Sequence, residues 1–364
     1  MKRVTLADVA RKAGVHPTSV SMALRNHPDL PVATRERLQA VAKAMGYVPD
    51  PNLSALVAYR TRNSASGNSR PLAYITDWDT RDGWKEMPAH AQFFAGATEK
   101  ARELGYHLDH FWLSEPGFSS QRLGQILYAR GINGLIFASH RHDRTRSLIF
   151  DWPKFCAVKI DYAPRDPAIH NISNDQRSIM QTVMQKTRAA GYSRPALVMT
   201  RPFDDIVRQA WSAGFLVEQQ SLRPENRIPI FYTAEWDATK PVPPDFVEEQ
   251  FAPWLREHRP DVIMSYGPFV QPLLRALQIS VPRDVAYVEL FLQKTSGETA
   301  GVRQNCLRVG EVAVEFLAGQ LQQNRMGIPG FPMATLVEGT WFDGASLPPK
   351  VPLTTVAKTA LAHY

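Results

Sequence analysis

Apolar positions follow two rhythms in this chain. Over the first 48 residues they recur at helical spacing, and from residue 70 onward short apolar runs alternate with helical stretches. Leu6, Val9, Ala10 and Ala13 fall at i, i+3, i+4 and i+7, which predicts a helix of about eight residues. Thr5 stands at its N-cap, and Asp8 places an acid near the positive end of the helix dipole. Gly14 ends it, because glycine enters the left-handed conformation without Cβ strain. A second helix follows at once, with Pro17 in the first turn, where a missing N–H costs nothing. Val20, Ala23 and Leu24 face inward there, while Pro17, Thr18, Ser21, Met22 and Arg25 share the outward side. In VATRERLQAVAKAMGY the buried stripe is Leu38, Val41, Ala42 and Met45, closed by Gly46. Two short helices joined at a glycine, followed by a third, form an all-α helix-turn-helix module over residues 1–48.

After Pro49, Leu53, Leu56 and Val57 give one or two turns of amphipathic helix over residues 49–62, too short to hold alone. A small polar linker follows at 63–69. The runs PLAYITDW, YHLDHFWL, INGLIFAS, FCAVKIDY, RPALVMT, RIPIFYT, PDVIMSYG and VAYVELFL predict strands. Helical patterns such as QFFAGATEKARELG and SSQRLGQILYARG lie between them. That alternation implies an α/β body of doubly wound parallel sheets, and residues 70–364 are too many for one such sheet, so two lobes are expected.

Charge changes the picture of the head. Residues 1–62 hold ten Lys/Arg against four acids, whereas the remaining chain holds 32 basic and 31 acidic residues. A small basic head on a nearly neutral body is the footprint of a polyanion partner. The outward face of the second helix, short, hydroxylated and without an acid, points to double-stranded DNA as that partner. The chain start has no apolar core of a secretory signal, and no apolar stretch is long enough to span a membrane, so a cytoplasmic, nucleoid-associated protein is expected. Cys156 and Cys306 belong to no paired motif, which fits a reducing compartment without metal or disulfide.

VTLADVARKAGV, TSVSMAL and TRERLQAVAKAMGYVPDP together resemble the DNA-binding head of the lactose-repressor (LacI/GalR) family, with the spacing kept through Tyr47 and Pro49. The resemblance implies a second helix lying in the major groove of an operator half-site. It puts Pro17, Thr18 and Met22 at base-contacting positions, and Thr5, Ser19 and Ser21 at phosphate-contacting ones. His16, Arg25, Asn26, Leu53 and Leu56 complete the candidate DNA contacts. The family wedges a leucine, at the position of Leu56, into the central minor-groove step; packing of Leu56 on its own domain is the alternative. This chain departs from the family at Met22, usually Arg, and at Arg25-Asn26, usually Asn-Gly. An Arg–guanine pair discriminates by about 1–3 kcal/mol, and Met offers only an apolar contact with a thymine methyl.

The body resembles the family more thinly, through ARGINGLIF, VKIDY, RAAGYSRPALV, RQAWSAGF, PDVIMSYG, VPRDVAYVEL and VRQNCLRVGEVAVEFL. This implies a sensor like a type I periplasmic binding protein, with an N-lobe at about 70–164 and 294–330, a C-lobe at about 165–293 and 331–364, and an effector cleft between them. Arg208 falls where the family clamps its effector, and Asp175 matches an acid near the ligand. Tyr266-Gly267 and the Glu289-Leu290-Phe291-Leu292 run replace the family's Asn-Asp and Gly-Phe-Asp-Asp, so two carboxylates that bind sugar hydroxyls are missing, and Tyr266 and Glu289 stand in their places as candidate effector residues. Asp77 and Trp78, in the long loop after the first strand with Asp79 and Trp84, offer carboxylates and aromatic faces for a remodelled sugar site. Core packing is the alternative for Trp78, Trp84 and Trp236, and a cleft without a small molecule is the alternative for the site.

Nucleotide-binding, serine-hydrolase, zinc-protease and paired-cysteine motifs are all missing from the sequence. Asp161, Asp175 and Glu289 are scattered carboxylates with no base, nucleophile or metal cluster beside them, and His140 and His142 fit a solvated loop. The expectation is therefore a homodimeric transcriptional regulator without cofactor, metal or catalysis, gripping a pseudo-palindromic operator and answering to a sugar-like effector. A carbohydrate sensor with accessory DNA contact and an effector-independent architectural DNA binder stay open beside it.

Overall fold

A computed structural model of the chain describes residues 4–24, 30–47, 69–141, 147–233, 244–267 and 270–350. The expectations for Arg25, Asn26, Leu53, Leu56, His142 and Trp236, and for the hinge, fall outside these residues.

The head is three helices: α1 (Leu6–Ala13), α2 (Pro17–Leu24) and α3 (Val32–Ala44). They close on Val9, Ala10, Val20 and Ala42, with Leu24, Val41, Met45 and Tyr47 packed around them. Gly14 (φ 67°) ends α1 in the left-handed region, and its N–H reaches back to the carbonyls of Ala10 and Arg11. Two side chains of α3 hold the other helices by their ends. Arg37 donates to the Ala13 carbonyl at 3.3 Å and Gln39 to the Ala23 carbonyl at 2.8 Å, oxygens that the last turns of α1 and α2 leave without a helical partner.

The body alternates strand and helix in chain order. β1 (Arg70–Asp77), α4 (Pro88–Glu103), β2 (Tyr106–Trp112), α5 (Ser120–Ala129), β3 (Gly134–His140), β4 (Cys156–Ile160) and β5 (His170–Asn174) come first. α6 (Gln176–Ala189), β6 (Pro195–Thr200), α7 (Arg201–Ile206), α8 (Ala210–Gln219), β7 (Phe231–Thr233), α9 (Ala252–His258) and β8 (Val262–Ser265) follow. The remainder is α10 (Val270–Ala276), β9 (Ala286–Glu289), β10 (Ala300–Arg303), α11 (Cys306–Gln322), β11 (Ala334–Val337) and β12 (Thr340–Phe342).

The chain forms two units, residues 1–172 with 307–334 and residues 173–306 with 335–364. One six-stranded sheet runs β11-β5-β4-β3-β1-β2, and its pairings from β5 through β2 are parallel. The second runs β12-β10-β9-β8-β6-β7, parallel throughout except for the antiparallel β10–β12 pair. Central strands buried on both faces read as unbroken apolar runs, as in Leu72–Ile75 and Leu135–Ala138. The first unit's core gathers Ile75, Leu127, Leu135, Phe137 and Phe155; the second's gathers Val198, Phe251, Ile263, Leu273 and Tyr287. In the first unit α4 and α11 touch backbone to backbone through two glycines. A Cβ on Gly96 would lie 2.0 Å from the Leu307 carbonyl oxygen, and one on Gly310 would lie 2.1 Å from that of Phe93.

Candidate nucleic-acid interface and strand-end rims

In the head the caps decide which groups remain for a partner. Thr5 and Asp8 form a reciprocal capping box: Asp8 N–H donates to Thr5 Oγ1 at 3.3 Å, and Thr5 N–H to Asp8 Oδ2 at 3.0 Å. The Thr5 hydroxyl also donates to Asp8 at 2.6 Å, so this candidate phosphate contact is tied into the cap. Asp8 in turn holds Arg11 at 3.1 Å. At the start of α2, His16 does for its helix what Thr5 does for α1. Thr18 N–H donates to His16 Nδ1 at 3.3 Å, with the Thr18 hydroxyl 3.0 Å from the same nitrogen. Val20 and Ala23 are buried; His16 and Thr18 are exposed, and Pro17, Ser19, Ser21 and Met22 are half-buried. The helix thus presents an acid-free polar face on a buried apolar back.

Ligands of open parallel sheets sit outside the carboxyl ends of the strands, so those rims are where effector residues belong. In the first unit Asp77 ends β1, buried and accepting from the Ser114 hydroxyl at 2.6 Å. Trp78 is half-buried with its ring edge-on to His90 at 5.2 Å, and its carbonyl accepts from Trp112 Nε1 at 2.9 Å. Trp84 is fully buried against Tyr74, Phe94 and His110, which makes it core. His140 is not in a solvated loop: it ends β3, half-buried, with Nε2 3.2 Å from the Ile75 carbonyl, because the strand runs on past the apolar residues that signalled it. Two rim residues that composition did not single out as strained, Ser139 (φ 54°) and Asp161 (φ 63°), occupy the left-handed region where L side chains are costly. Ser139 Oγ lies 3.2 Å from His90 Nδ1. Desolvation lowers His90 to about 4 and raises the Asp161 carboxyl to about 7.

In the second unit Asp175 caps α6, accepting from Ser178 N–H at 2.9 Å. Arg208 is exposed and follows α7 in the left-handed region (φ 55°), with Gln209 (φ 59°) beside it. Tyr266 stacks on Phe203 with ring centroids 3.8 Å apart, and its hydroxyl is 2.8 Å from Thr200 Oγ1. Glu289 and Tyr266 come together at the ends of β9 and β8. Glu289 accepts from Gly267 N–H (2.8 Å), Phe291 N–H (3.2 Å) and the Tyr287 hydroxyl (2.8 Å). Desolvation outweighs those bonds and raises its carboxyl to about 7. Glu289 therefore staples the rim loops through both oxygens.

Sequence reasoning missed Asp204, Phe203 and Trp211. Asp204 is buried and accepts from the Tyr232 hydroxyl at 2.9 Å, and the Arg201 guanidinium sits 3.9 Å over the Tyr232 ring. Phe203, Tyr266 and Trp211 form a cluster in which each ring touches the other two. Buried Trp211 Nε1, Thr233 Oγ1 and Ser265 Oγ have no hydrogen-bond partner among the described residues. Unsatisfied polar atoms along the strand ends suit a polar ligand or ordered water. The dense aromatic and acidic run RPFDDIVRQAW was the available signal.

Among the described residues no helix is long and apolar enough to cross a membrane, and no cluster of three or more His, Cys, Asp or Glu could hold a metal ion. Residues 5–50 match the family of bacterial regulatory proteins, lacI family. The HTH-type transcriptional regulator MalR of Streptococcus pneumoniae is 26% identical over 134 residues, 37% of this chain and 38% of MalR, so the match spans less than half of that relative. The lac repressor dimer bound to operator and the anti-inducer ONPF is 18% identical, with a TM-score of 0.52 over 95% of this chain and 100% of that one. The lacI-family regulator CCPA of Weissella paramesenteroides with bound glucose is 15% identical, with a TM-score of 0.53 over 77% and 99%. The chain carries a lacI-family helix-turn-helix domain at its N-terminus, on a two-unit α/β body that shares the fold of the lac repressor.

Proposed function

We propose that this chain is a sequence-specific transcriptional regulator, a repressor that grips a pseudo-palindromic operator as a homodimer in the cytoplasm. The observation that carries this is the head: a lacI-family domain whose α2 is capped, backed by a buried stripe and acid-free on its outer face. Phosphate contacts from a basic domain position such a helix, and base edges give it specificity. No catalytic role is assigned to the chain.

A small polar effector, a sugar or sugar derivative, is read as the modulator. The shared fold supports this, as do the unsatisfied polar atoms and stacked aromatics at the strand ends of the second unit. Effector binding would shift the population of DNA-competent dimers by its differential affinity for the two states. Arg208 is the group proposed to clamp it, and Tyr266 the aromatic face.

Selection of bound duplexes from a random pool tests the first part with the full chain. An inverted repeat of two enriched half-sites is expected; indiscriminate recovery of all duplexes would sink the reading. A thermal-shift screen with sugars and sugar acids tests the second, since a ligand at 100 times its Kd stabilises by about 2.7 kcal/mol. No shift with any of them would leave an architectural DNA binder.

A further inference from the structure

We propose that Gln39 of α3 is a positioning residue for DNA reading: through its bond to the Ala23 carbonyl it fixes the axis of α2, and so sets how sharply the chain discriminates between sequences. The proposal rests on the reading of the head as a DNA-binding domain.

Among the described residues α2 is held at both ends, but only one hold comes from another element. His16 caps the amino end by accepting from Thr18 N–H at 3.3 Å. That bond lies within one turn of chain, so it travels with the helix and does not fix where the helix points. At the carboxyl end Gln39 Nε2 donates to the Ala23 carbonyl at 2.8 Å, across 16 residues of sequence. Gln39 is half-buried next to the fully buried Leu38, and Ala23 is fully buried. The comparable bond from Arg37 to the Ala13 carbonyl is longer, 3.3 Å, and exposed, where water can replace it. The apolar seam of the head is Val9, Ala10, Val20 and Ala42 with the partly buried side chains around them. Burial of that kind is non-directional and leaves a short helix room to tilt. The hydrogen bond is directional, and it ties α2 to α3 at one pair of atoms.

Tilt matters here because of scale. The eight residues of α2 span about 12 Å, so a tilt of ~10° carries one end ~2 Å relative to the other. Hydrogen bonds to base edges hold over a window of about half an ångström. Phosphate contacts from long basic side chains absorb such a shift, and they supply affinity for any sequence. With the Gln39 donor removed, the Ala23 carbonyl satisfies itself by turning toward water and takes the end of α2 with it. The loss then falls on discrimination between sequences and not on general affinity for DNA.

The test uses the full chain as wild type, Q39M, Q39E and Q39K, on an operator selected by wild type and on a random-sequence duplex. Methionine keeps the length of the side chain without a donor, glutamate sets a second acceptor against the carbonyl, and lysine restores a donor. The ratio of the two affinities is the readout, because lysine also adds a charge that strengthens binding to both duplexes. Q39M should lower that ratio roughly three- to tenfold, the worth of one hydrogen bond, with random-duplex affinity and its salt slope unchanged. Q39E should lower it at least as far, and Q39K should bring it back toward wild type. Equal weakening on both duplexes overturns the proposal, since a loosened or unfolded head loses both. A ratio that Q39M leaves unaltered overturns it, and so does a Q39K ratio as low as that of Q39M. If wild type selects no motif, the DNA-binding reading fails with it; if wild type selects one and the ratio stands in Q39M, only the role of Gln39 is wrong.

Discussion

Met22 and Glu289 show how a single side chain sets behaviour in the two halves of this molecule. Met22 lies half-buried on α2, beside the exposed His16–Thr18 pair, and offers an apolar surface without a donor. M22R would add a guanidinium able to make a bidentate guanine contact worth about 1–3 kcal/mol of discrimination. Selection with this variant should return a half-site gaining a guanine, with total affinity for mixed DNA altered less than the motif; an unaltered motif removes Met22 from the groove. Glu289 is a buried acid whose carboxyl is raised to about 7 from the ordinary 4.5. Between those values the folded chain keeps a proton that the unfolded chain releases. Its contribution is therefore fully present below about pH 4.5 and lost as pH rises through 7, on the order of 3 kcal/mol in all. Melting E289Q and wild type from pH 5 to pH 8 should show a smaller loss of stability in the variant. The remaining slope belongs in part to Asp161, raised in the same sense.

At the scale of elements, caps and close approaches matter more than helix propensity. The reciprocal Thr5–Asp8 box was legible as residue types at fixed spacing, because capping is a local reaction between a side chain and its own first turn. The contact of α4 and α11 was not, because the two glycines that permit it lie far apart in sequence. G96A places a methyl group 2.0 Å from the Leu307 carbonyl oxygen, where only backbone movement relieves it. Overpacking of that kind costs about 1–3 kcal/mol. Thermal unfolding of G96A should show a midpoint several degrees lower than wild type, while G319A, whose new methyl group meets nothing within 4 Å, should not. The strands β5, β10, β11 and β12 went unnoticed in the sequence; β5 and β10 are largely buried, but HNISN and AGVR carry no apolar run that marks a strand. β11 and β12 are short and half-exposed, so neither an apolar run nor a clean alternation marks them.

At the scale of the whole molecule, charge is partitioned: ten Lys/Arg against four acids in residues 1–62, and near balance beyond. Affinity for DNA should then be carried by phosphate neutralisation in the heads, and each phosphate contact adds about 0.9 to the slope of log affinity against log salt. Six to ten contacts from a pair of heads predict a fall of roughly 10³- to 10⁵-fold between 50 and 200 mM salt. A shallow slope in a filter-binding or fluorescence titration would contradict it.

The sequence by itself determined the three helices of the head, their caps and turns, the strand–helix alternation of the body and the uneven distribution of charge. These are local quantities, set by spacing along the chain and by the residue at each position. Tertiary structure alone decided what the rim residues do. Trp84, open to either role in the sequence, is core because Tyr74 and Phe94 enclose it. Glu289, expected as a ligand group, has both oxygens taken by Gly267, Phe291 and Tyr287. Phe203 and Trp211 join Tyr266 only because neighbouring parallel strands end side by side. Burial and the identity of a neighbour depend on residues distant in sequence, so no local pattern carries them.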